Sequence, residues 1–111
     1  RKFALEKVVI FSDDFHHSLE ELVEILYDED YFGFKIDCHL YVDKIYDFIE
    51  SSIDYPISRN SPESFQKYGK KYLRYKANNH TFWYIFFDEK DSRFLINHIL
   101  NNHSKDFPEL L

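Results

Sequence analysis

The apolar positions change period along the chain, and the changes mark the elements. Val8-Val9-Ile10-Phe11 is a short β-branched and aromatic run, which predicts a strand. Ser12-Asp13-Asp14 follows with side chains suited to capping a helix start. Phe15, Leu19, Leu22, Val23 and Leu26 then recur at helical spacing, with Glu20, Glu21 and Glu24 on the other face. Asp28–Gly33 has no period and predicts a turn. Cys38, Val42, Ile45 and Ile49, widened by Tyr41 and Phe48, predict a second helix from about residue 35 to 53. A short loop between two such helices predicts an antiparallel hairpin. Tyr55-Pro56 ends the second helix, because a residue before proline is pushed out of the helical region.

The second half reads differently. Ser61-Pro62-Glu63 is a helix start signal, and Gly69 a stop, so residues 62–68 predict one or two turns. Tyr72–Ala77 predicts a strand and Asn78-Asn79 a turn. Thr81–Phe87 is apolar on both faces, which suits a central strand. Asp88–Ser92 predicts a polar turn, and Phe94–Leu100 the last strand. The expected fold is a single α+β domain over residues 1–111: an N-terminal strand, an α-helical hairpin, then a three-stranded antiparallel meander. With helices on one face only, the aromatic side chains of the other face are expected to form an exposed patch.

Composition narrows the class. The chain has 12 Phe, 9 Tyr and 1 Trp but only 2 Gly and 3 Pro, which excludes disordered and collagen-like chains. One Cys excludes a disulfide scaffold, and Cys38 reads as a small core residue of a protein kept in a reducing compartment. No apolar run reaches the roughly 18 residues of a membrane span, and no secretory leader is visible, so the expected location is cytoplasmic with no membrane partner. The net charge of −6 is unevenly placed. Residues 1–58 carry five bases and fourteen acids, whereas residues 59–111 carry nine bases and six acids. Lys67, Lys70, Lys71, Arg74 and Lys76 form an acid-free run, which suits either an anion-binding face or a protected strand edge.

Arg74 and Lys76 are one residue apart on a strand, so both leave the same face. His80, His98 and His103 are candidates for proton transfer, since histidine titrates near neutrality. His16, His17 and His39 do not have recognised metal-ligand spacing, so neither a metal nor another cofactor is expected.

The element order, the basic strand at Arg74-Tyr75-Lys76 and the closing segment Leu100-Asn101-Asn102-His103-Ser104-Lys105-Asp106-Phe107 together resemble the RelE/ParE superfamily of type II toxins, known also from plasmid stabilisation. The resemblance implies a toxin partnered by a cognate antitoxin. It leaves two mechanisms open. One is a metal-free, ribosome-dependent mRNA endonuclease (an mRNA interferase) using Arg74, Lys76 and His103, with His80 and His98 as further candidates and Lys67, Lys70 and Lys71 on the nucleic acid. The other is a non-nucleolytic protein that poisons DNA gyrase, or an inactive member that only binds. Relative to the ribonuclease pattern, Thr81 stands where an arginine is usual, Phe107 where a tyrosine is usual, and His103 where the closing arginine falls.

Overall fold

A computed structural model describes residues 7–28 and 38–104. The chain runs β1 (Val8–Phe11), α1 (Asp13–Asp28), α2 (Cys38–Ser52), β2 (Arg59–Asn60), a 3-10 turn (Glu63–Phe65), β3 (Lys71–Lys76), β4 (Phe82–Lys90) and β5 (Arg93–Asn101). The strands form one mixed sheet in the order β1-β5-β4-β3-β2. β1 lies parallel to β5, and the other pairs are antiparallel. The coarse α+β class and the β3–β4–β5 meander agree with the sequence pattern, and the doubly apolar β4 is the central strand.

The order differs from expectation by one strand. Arg59-Asn60 pairs with Tyr72 and Lys71, and two polar residues leave no alternation to detect. The expected turn at 88–92 is also narrower. Both strands continue to the hairpin tip, and only Asp91 and Ser92 turn, at φ 52° and 65°, values that suit a two-residue hairpin loop. Of the expected 28–33 turn, Asp28 is the last residue of α1 and 29–33 lie outside the described residues, as do the side chains of Leu26 and Cys38.

Both helices cover the same sheet face. Phe15 and Leu19 of α1 and Ile45 and Ile49 of α2 are fully buried against Leu73, Trp83, Ile85, Phe87 and Ile96. Leu22 is only half-buried and packs at the margin of this core. Burial of each large side chain contributes about 1.5–3 kcal/mol relative to exposure. At the start of α1 the Ser12 hydroxyl accepts from the Phe15 N–H at 3.0 Å and donates to the Asn97 carbonyl at 3.1 Å. The Ser12 N–H donates to the Ile96 carbonyl at 2.9 Å, so one residue caps the helix and joins it to β5.

The opposite face, here the outer face, is not the exposed aromatic patch expected. Residues 61–69 fold back across it and close a second core. Phe65 stacks on Phe86 with centroids 5.3 Å apart, and both are buried with Tyr84 and Leu100. The sequence suggested a hydroxyl-capped helix here, but the short turn has Pro62 at its cap with no side-chain bond, and the Ser61 hydroxyl is buried without a partner among the described residues. Gly69, at φ +155°, lets the chain re-enter the sheet; a Cβ there would lie 2.6–2.8 Å from the Phe87 backbone.

Candidate nucleic-acid interface

Alternation along the strands sorts the candidate residues. On β3, Leu73 and Tyr75 face the helices, whereas Tyr72, Arg74 and Lys76 leave the outer face. Arg74 lies opposite Tyr84 and Lys76 opposite Phe82. The Arg74 guanidinium rests 4.3 Å from the centroid of the Phe82 ring, a cation–π contact that orients it. Burial raises the Tyr84 phenol above its ordinary value; Arg74 lowers it and Tyr72 raises it further. The result is an aromatic-backed cationic stripe along β3, able to receive phosphates between stacked bases.

The basic run splits. Lys71 shares the helix-side alternation and pairs with Glu89 at 3.8 Å. Lys70 is exposed ahead of β3, and its N–H donates to Asp88 Oδ1 at 3.0 Å. Lys67 stands over the Tyr68 ring at 5.1 Å.

The histidines separate as well. His80 is exposed in the 77–81 loop, its N–H donating to Asn78 Oδ1 and its carbonyl accepting from Asn102. The His103 N–H donates to Asn101 Oδ1 at 2.8 Å, and its Nε2 lies 3.3 Å from the hydroxyl of the buried Thr81. Thr81 precedes the outward Phe82, so by alternation it belongs to the helix side. His103 is thus part of the polar lock that closes the β4–β5 end, and Lys76, opposite Phe82, stands at this same end of the sheet.

His98 does reach the outer face. β5 is bulged: Phe86 pairs with His98 and Phe87 with Ile96, which leaves Asn97 extra. The helix-side residues therefore run Phe94, Ile96, Ile99. The bulge is held from both sides, because Asn97 Nδ2 donates to Asp88 at 3.2 Å while its carbonyl accepts from Ser12. Tyr68 stacks on His98 with centroids 3.9 Å apart and planes 13° from parallel. Ser12, Asp14, His17, Ser18, Lys67 and Asn97 complete a cleft of about 370 Å³ around this stack. His98 and Arg74 lie two inter-strand spacings apart, across β4, and one side-chain row along, on the order of 12 Å.

Of the residues that line the His98 cleft, the pattern singled out Lys67 and His98 but not Tyr68, Asn97 or Asp14, and it named His17 only to set it aside as a metal ligand. The three-residue step from Ile96 to Ile99 in an otherwise alternating strand is the signal that locates the bulge. Among the described residues no group of three His, Cys, Asp or Glu side chains is placed to hold a metal ion, and no helix is long and apolar enough to cross a membrane. In comparisons with known proteins, no family model, no curated protein and no solved structure matches this chain.

Proposed function

We propose that the chain is a RelE/ParE-like toxin that binds and cuts mRNA on the ribosome with its outer sheet face and is silenced by a cognate antitoxin in the cytoplasm. The observation that carries this reading is the placement of Arg74 and Lys76 together on the face that the helices leave uncovered, backed by Tyr72, Phe82 and Tyr84. A strand-borne pair of cations can grip successive phosphates and offset charge that develops on a phosphorane. Proton transfer falls to two imidazoles, His98 on this face and His103 at the end of β5, since one group must take the 2′-hydroxyl proton and another must protonate the leaving oxygen. The helix pair on one face of an antiparallel meander supports the family reading.

The test is mRNA cleavage on programmed ribosomes. Arg74→Ala should lower the rate by about 100- to 1,000-fold, the usual effect of removing a donor aimed at transition-state charge. His98→Gln and His103→Gln should each lower it as well, with circular dichroism unchanged throughout. Full toxicity of Arg74→Ala together with loss of plasmid supercoiling would replace this reading with a gyrase-directed poison.

A further inference from the structure

The helical layer carries a second recognition surface, remote in chemistry from the cationic stripe. Between α1 and α2 runs a groove of about 450 Å³. Its floor is Val23, 6% exposed, and the half-buried Val42, and Tyr27 stands half-exposed at its wall. Its rim is Glu20 and Glu24, one turn apart on α1, and Asp43 with the exposed imidazole of His39 on α2. All three carboxylates are exposed, and among the described residues none of them forms an ion pair. Across the two helices there are nine carboxylates and one lysine, Lys44.

We propose that this groove docks a cationic amphipathic peptide helix from a partner, with an apolar side chain over Val23 and Val42 and basic side chains against Glu20, Glu24 and Asp43. An apolar slot between parallel rows of side chains suits a helix that presents anchors at i, i+3 and i+4. The rim selects the sign of the partner's charge. Nucleic acid and anionic membranes are repelled, and so is the equally acidic helical layer of a second copy. The inference stands on the groove's own chemistry and does not depend on the nuclease reading.

The probe is a fluorescein-labelled Leu/Lys amphipathic helix of about 15 residues, long enough to hold helical structure. Leu/Gln and Leu/Glu counterparts serve as controls, and binding to the full chain is read by fluorescence anisotropy. The Leu/Lys peptide should bind and weaken with added salt, and the Leu/Glu peptide should not bind. Joint Glu20→Lys and Glu24→Lys substitution should weaken binding at least about tenfold, whereas Asp13→Lys, on the same helix outside the groove, should leave it unchanged. These positions are exposed, and circular dichroism checks that the fold is retained. Equal binding of the Leu/Gln peptide, or equal loss with Asp13→Lys, would overturn the proposal. So would self-association in sedimentation that the double variant abolishes, because a second copy would then be the occupant. Ribosomal mRNA cleavage by the double variant should be unaffected, which separates failure here from failure of the toxin reading.

Discussion

Trp83 is fully buried in the helix-side core, and its indole N–H donates to the Tyr41 hydroxyl at 2.9 Å. A buried N–H without an acceptor costs about 1–3 kcal/mol, so Tyr41→Phe should destabilise the fold by that amount at neutral pH. Urea unfolding followed by the fluorescence of Trp83, the only tryptophan, measures it. The same pair gives an alkaline signature. Burial raises the Tyr41 phenol above 10.0; the Trp83 hydrogen bond lowers it, and Tyr75 raises it. The folded chain therefore holds this proton more tightly than the unfolded chain. Stability from the neutral phenol is fully present below pH 10 and is lost as pH climbs through the higher folded-state value. Urea midpoints measured across that range should fall for the native chain and fall less for Tyr41→Phe. That Trp83 is buried was legible in the doubly apolar run around it, but its partner was not. Tyr41 is 42 positions away and is brought to it only by the packing of α2 on the sheet.

At the scale of elements, the 3-10 segment decides what the outer face is. Phe65 anchors it on Phe86, and Tyr68, three residues on, reaches His98. Phe65→Ala should cost about 3–5 kcal/mol and should loosen the Tyr68–His98 stack before the helix-side core fails. Native-state hydrogen exchange would show amides of residues 65–69 opening first; protection that stays uniform across the chain would mean that the segment does not depend on Phe65. The two helices were legible because Phe15, Leu19, Ile45 and Ile49 repeat at 3.6 residues over several turns. The 3-10 turn was legible from its start and stop signals, Ser61-Pro62-Glu63 and Gly69, though not its seat across the outer face; β2 was not, since two residues are too few to set a period. The same limit explains the site. Arg74 and Lys76 could be assigned to one face from alternation alone. The cleft at His98 is assembled from α1, the 3-10 segment and a bulge, and no local pattern joins three such pieces.

Across the whole molecule, acidic helices cover one side of the sheet, and the strand that carries Arg74 and Lys76 opens on the other. The sign change between the two halves of the sequence anticipated this division but not the orientation that makes it two faces. The sheet also sets a condition on folding. β1 has β5 as its described neighbour, with Val8 opposite Arg93 and Phe11 opposite Ile96, and Ser12 reaches the same strand. A chain ending at Lys90 keeps α1, α2, β3 and β4 in sequence yet lacks the strand that joins β1 to the rest. It should show no cooperative urea transition by Trp83 fluorescence; a sharp transition would mean that β5 is dispensable to the core. During synthesis β1 must therefore wait for β5, and the loop-closure cost of that pairing is met only once β5 has been made. A nascent chain on the ribosome, with Asn97 and His98 not yet emerged, holds neither a finished core nor a formed cleft. Whatever this surface does to other molecules is thus withheld until translation has passed β5, a delay that is written into strand order and needs no inhibitor.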